Sequence, residues 1–171
     1  ADSSFKLPTK GINIDLEYSL EKPNTKFAFI NARILTMEKD SIIENGTILV
    51  ENNIIKAVDR TSQVNIDESF TKINCDGMTI MPGFIDAHAH GNHFRYGITP
   101  QKHWPYYVNL AYGVTTMHDP SAYGEMVFSN AELIKSGKIV GPRVFSTGTI
   151  LYGADGDFKA VVNSLEDARS A

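Results

Sequence analysis

The chain has 171 residues, of which 42% are hydrophobic and 21% charged, with a formal net charge of −4 at pH 7. That length suits one ordinary domain or one and a half small ones, and the composition is that of a globular chain. It excludes the basic surface that a nucleic-acid partner needs, and no apolar run reaches the roughly 18 residues of a membrane span.

Residues 1 to about 26 read as a polar, irregular lead-in without the charged and apolar regions of a signal peptide. Ile12 to Leu16 alternates as a short strand would, and Pro23-Asn24 breaks it. Phe27 to Met37 is strand-like. Gly46 to Val50 and Ile54 to Val58 flank Glu51-Asn52-Asn53, where the two asparagines suit a positive-φ hairpin turn. Asp59 to Phe70 reads as loop, and Thr71 to Cys75 leads into a turn at Asp76-Gly77. Cys75 is the single cysteine, so no internal disulfide forms; it reads as a small hydrophobe beside a strand, with no catalytic role. Residues 1–80 are thus expected to be a meander of short strands, a small β domain.

The pattern changes at Pro82, where strand and helix begin to alternate. The mostly apolar run Thr79 to Ala89 predicts a buried strand of a parallel sheet. A helix is expected around His103 to Tyr112, a second strand at Val114 to His118, and a helix capped at Ser129-Asn-Ala-Glu132 that ends at Gly137. A third strand covers Arg143 to Thr147. Gly148 to Asp157 reads as a loop. Its Asp155 and Asp157 lack the ligand spacing of a calcium loop, which favours a plain loop. Ser164-Leu-Glu-Asp167 is a further capping box. Three βα units stand where a closed barrel needs eight, so residues 81–171 are expected to be the truncated start of a larger barrel.

The chemistry concentrates at His88 and His90. Side chains two apart on a strand share a face, so both imidazoles should project together at the strand's carboxyl end, where neutral imidazole can grip a borderline metal. A His-x-His pair also arises by chance, with its rings satisfied by backbone carbonyls. The context favours the metal: Asp86 precedes the pair, Asn92 and His93 follow it, and the next strand again ends in a polar pair, His118-Asp119. Asp86 could orient an imidazole or simply make a turn hydrogen bond. His93 divides evenly between a functional and an exposed loop residue. His118 and Asp119 are candidates for a substrate-facing or ligand-supporting role. His103 reads as a surface or helix-start residue. Trp104, Tyr106 and Tyr107 read as cover for the sheet more than as a substrate box.

The composite of Phe29-Ile-Asn-Ala-Arg-Ile-Leu35, Gly46-Thr-Ile-Leu-Val-Glu51, Asp76-Gly77, Met81-Pro-Gly-Phe-Ile-Asp-Ala-His-Ala-His90 and Gly113-Val-Thr-Thr116 resembles the amidohydrolase superfamily, most of all its imidazolonepropionase and prolidase branch. The forms His88-Ala-His-Gly-Asn-His93 and Thr115-Thr-Met-His-Asp-Pro120 look like the branch in which the amidohydrolase follows a Tol-type β-propeller. The resemblance runs from about Lys26 to the end. It implies a small β-sandwich portion followed by the first units of a TIM (β/α)8 barrel, and a metal-dependent hydrolase of amide, cyclic amide or peptide-like carbon–nitrogen bonds. By that pattern His88 and His90 bind a divalent metal, usually zinc, which activates a water. The family's other ligands, a lysine or acid, two histidines and the catalytic aspartate, lie on later strands, so no catalytic residue is expected in this chain.

A second class of function stays open beside the first. With half the ligand set and open sheet edges, the chain alone is expected to bind metal weakly and to hydrolyse nothing. It would then serve as an oligomerising or complementing piece that self-associates. The residues leave the compartment undetermined, and the resemblance is compatible with a periplasmic or secreted one. The substrate, a small amide or peptide-like molecule, is not legible in these residues.

Overall fold

The hairpin at Asn52-Asn53 organises the first sheet. Both asparagines take positive φ, 52° and 63°, the conformation a tight two-residue hairpin demands and asparagine tolerates. In the computed structural model, which describes residues 11–12, 17, 19–20, 22, 24–93, 98–154 and 159–170, this turn joins β2 (Ile42–Glu51) to β3 (Ile54–Arg60). The expected strand at Ile12 to Leu16 falls largely outside these residues, as do Asp155 and Asp157.

β1 (Lys26–Leu35) pairs antiparallel with β2. The pairing shifts between Phe29 and Ala32, where Asn31 takes a φ of 62°. This bulge inserts one residue, so Phe29, Ala32 and Ile34 all reach the same core although a strict period of two would separate them. Ile48 and Cys75 complete that core, which places Cys75 where a small hydrophobe belongs.

The first region is not a simple meander. β4 (Thr71–Asn74) and β5 (Thr79–Ile80) both run parallel to β1, giving one mixed sheet of order β3-β2-β1-β4 with β5 also on β1. The expected loop from Asp59 is shorter than predicted, because β3 continues to Arg60 and a 3-10 turn covers Thr61–Gln63. Thr47 is buried and meets the Thr61 hydroxyl at 2.9 Å, which explains why a polar side chain can sit there.

The run Thr79 to Ala89 is not one buried strand. The Pro82-Gly83 break divides it: β5 closes the first sheet and β6 (Phe84–Asp86) opens a second. The order β6-β7-β8 is parallel throughout, with β7 at Val114–Asp119 and β8 at Arg143–Ser146. The crossovers are α1 (Trp104–Ala111), with proline in its first turn, and α2 (Gly124–Ser136). β6 is exposed rather than buried, since it is an edge strand in this sheet.

α2 starts five residues before the predicted cap, so Ser129 lies inside it. Its end is as expected. Gly137 takes a φ of 79°, its N–H donates to Ile134 O, and Lys138 N–H donates to Leu133 O at 2.9 Å, a Schellman closure. Beyond β8 the expected loop contains β9 (Ile150–Tyr152), paired parallel with β10 (Lys159–Val161). α3 (Leu165–Ser170) follows, and Ser164 caps it as read: Asp167 N–H donates to Ser164 Oγ, while the returning Asp167 Oδ2 accepts from the Asn163 N–H, one residue before the cap.

Candidate functional site

Ala89 sets the direction of its neighbours. Its side chain is buried among Tyr106, Met117 and Val127, and its N–H donates to His118 O at 2.8 Å. His88 and His90 flank this buried alanine and are both exposed to solvent. They stand just past the end of β6, not within a strand. Their ring centres are 5.3 Å apart with the planes at 79°.

That separation can be tested against a shared ion. Two imidazoles holding one tetrahedral ion through nitrogens about 2 Å from it would stand with ring centres roughly 5 Å apart. The observed pair meets this condition. Among the described residues no group of three or more His, Cys, Asp or Glu side chains is gathered for a metal. The spacing of this pair is therefore compatible with two ligands of one ion, and the described residues gather no third beside it.

The other sequence candidates divide. Asp86 Oδ1 accepts the His88 backbone N–H at 3.1 Å, so it caps the turn rather than an imidazole. His118 is half-buried and contributes its backbone carbonyl to Ala89. His90, Asn92, His93 and Asp119 come together around a cleft of about 300 Å³ at the carboxyl ends of β6 and β7, closed by Ser121 to Tyr123. Ligands of open α/β sheets bind at such strand ends. A larger hollow of about 610 Å³ beside Asn31, Arg33 and Asp76 contains no histidine and lies on the first sheet.

Asp119 is the centre of this end of the molecule. Its side chain is buried, and its Oδ2 accepts the Gly91 N–H at 2.9 Å and His93 Nε2 at 3.0 Å. Oδ1 accepts the Ser121 N–H at 2.9 Å and lies 3.6 Å from His90 Nδ1. Desolvation would raise the carboxyl pKa, but the hydrogen bonds from Gly91, Ser121 and His93 outweigh it and hold the carboxyl below its ordinary value.

His93 is not an exposed loop residue. It is buried, and burial pushes its pKa down against the pull of Asp119. A neutral ring whose Nε2–H donates to the carboxylate must accept at Nδ1, where the Tyr106 hydroxyl lies 2.7 Å away. Burial drives the Tyr106 pKa far up, so that hydroxyl keeps its proton and donates it. The Asn130 amide of α2 donates to the His93 carbonyl. The loop after β6, α1, β7 and α2 therefore meet at one histidine.

His103 caps the start of α1 but is buried, not at the surface, with its ring edge-on to Tyr106 at 4.5 Å. Of the three aromatics expected to cover the sheet, Tyr106 is fully buried while Trp104 and Tyr107 are exposed. Sequence reasoning places neither Tyr106 nor Asn130 in a polar network, which the structure does. For Asn130 a signal existed: it lies three residues from Val127, on the buried stripe of α2.

No protein-family model matches the chain. A 5-methylthioadenosine/S-adenosylhomocysteine deaminase of Bacillus cereus is 38% identical over 66 residues, covering 38% of this chain and 15% of the deaminase. A dihydroorotase of a Wolbachia from Brugia malayi is 34% identical over 82 residues, covering 41% of this chain and 16% of its own. Among solved structures, a protein described as a prolidase of Bifidobacterium longum superposes with a TM-score of 0.65 at 24% identity, over 86% of this chain and 37% of that one. A Xaa-Pro dipeptidase with bound methionine gives 0.63 at 20% identity, over 85% of this chain and 43% of that one. These structural likenesses show a shared fold, and the chain spans less than half of each of these four proteins.

Proposed function

We propose that this chain, which resembles the amidohydrolase superfamily in local sequence and in fold, carries part of a metal-dependent hydrolase of carbon–nitrogen bonds. The observation that carries the reading is the exposed pair His88 and His90, 5.3 Å apart at the carboxyl end of a parallel strand. In this reading β6, β7 and β8 with α1 and α2 are the first units of a TIM barrel, whose chemistry sits at that face. The mixed sheet of β1 to β5 is the adjoining part of a β-sandwich. The deaminase, dihydroorotase and dipeptidase activities named for the similar proteins share hydrolysis of a carbon–nitrogen bond, which supports an amide, cyclic amide or peptide-like substrate.

His88 and His90 would hold the ion, each through one ring nitrogen. A divalent ion such as zinc supplies Lewis acidity and an activated water there. The chain's own residues hold the imidazoles apart, keep them at the solvent side of Ala89 and fasten the loop to β7. Zinc titration by calorimetry tests the reading. Weak saturable binding is expected, lost in both His88→Gln and His90→Gln. Binding that neither variant changes would exclude this pair as ligands.

A second reading rests on a separate observation. Phe84, Ile85 and Phe145 of the parallel sheet are exposed, and β6 and β8 are its edges. Such surfaces pair with other chains, so the chain alone would act as a self-associating or complementing piece without hydrolase activity. Light scattering after size exclusion distinguishes the two states; a compact monomer would count against this second reading.

A further inference from the structure

We infer that Asp119 is the positioning residue that sets the tautomer and orientation of His90. This rests on the metal reading of His90 for its use, but not for its geometry. Asp119 Oδ1 faces His90 Nδ1 at 3.6 Å, while the carboxylate itself is buried and His90 is largely exposed. The distance is longer than a formed hydrogen bond. The exposed ring is the partner left to close it by rotation, since Gly91 N–H, Ser121 N–H and His93 Nε2 hold both oxygens of the carboxylate.

The surroundings are built around that carboxylate. Gly91 must be glycine, since a Cβ there would stand 2.5 Å from the His93 ring and 3.0 Å from Met117. Its missing side chain lets the backbone N–H reach Asp119. The His93 ring behind it is fixed by Tyr106, and its carbonyl by Asn130. With the proton of His90 directed to Nδ1 by Asp119, Nε2 is the nitrogen left free to ligate. A carboxylate beyond a ligating histidine commonly works in this way, fixing the ring and raising its basicity. The sequence distance hides the arrangement: Asp119 lies on β7, and the loop it serves follows β6.

Nitrogen-15 spectroscopy of the histidine rings in the metal-free chain tests this directly, with His90 assigned by comparison with His90→Gln. The wild-type ring is expected with its proton on Nδ1. Asp119→Asn is expected to release it to the Nε2–H form and to weaken zinc binding about 10- to 100-fold. Tyr106→Phe loosens the structure below His93 without touching the carboxylate, so it should leave the His90 tautomer unchanged. A purely structural Asp119 predicts that both variants behave alike. A wild-type His90 already protonated at Nε2 overturns the inference even if Asp119→Asn fails to fold. An Nδ1–H ring in a chain that takes up no zinc supports the pairing and counts against the metal reading instead.

Discussion

The two sheets bury different chemistry. The core of the mixed sheet is Ala32, Ile34, Ile48 and Cys75, and its buried polar contact is a threonine pair. The parallel sheet buries Tyr106, Met117 and Val127 beside His93, Asp119 and Asn130. In the first, stability is a matter of apolar burial and turns. In the second, the same residues that hold the helices on the sheet also hold the loop bearing His88 and His90. Damage to the second core should therefore be felt at the site, and damage to the first should not.

The largest test is Tyr106→Ala. Removing a fully buried ring that also donates to His93 should cost about 3–5 kcal/mol and disturb the His88 and His90 ring signals together. Ile34→Ala is the matching change in the mixed sheet. A loss of about 2–5 kcal/mol is expected in denaturant unfolding, with the histidine signals unmoved under native conditions. Disturbed signals in the second variant would show that the two regions are coupled. Smaller still, Asn53→Ala should cost about 1 kcal/mol, since alanine tolerates the left-handed conformation poorly. It too should spare the site.

The pH dependence sharpens the contrast from the other side. His93 has a folded pKa below its ordinary 6.5, so below that value the unfolded chain binds more protons than the folded one. Its contribution is fully present above about pH 7 and is lost as pH falls through 6.5 toward the folded value. Denaturant midpoints between pH 7.5 and 5 should decline toward acid, and His93→Gln should flatten that decline. An equal slope in the variant would place the effect on another group.

Local signals carried much of this structure. The Asn52-Asn53 turn, the Gly137 helix end and the Ser164 cap depend on neighbours within a few residues, and the sequence shows all of them. The Ser129 box is a local signal that misleads, since α2 already starts at Gly124; the other differences lie where distant residues decide. β4 and β5 look like further meander strands, but their parallel pairing to β1 depends on partners some forty residues away. The bulge at Asn31 breaks the strand period by one. Asp119 was legible as a strand-end acid, yet its grip on Gly91 and His93, 28 and 26 residues earlier, exists only once β6 and β7 lie side by side.

The parallel pairing of β6 and β7 has a kinetic consequence. Parallel neighbours cannot be joined by a tight turn, so the crossover through α1 must be threaded before their pairing forms. Contacts this far apart in the chain carry a loop-closure penalty that hairpin β2–β3 avoids. The hairpin should nucleate early. The backbone around His88 and His90 should acquire its fixed shape late, when β7 arrives with its carboxylate. Substitutions at Asn53 would then slow folding, whereas substitutions at Asp119 would chiefly speed unfolding.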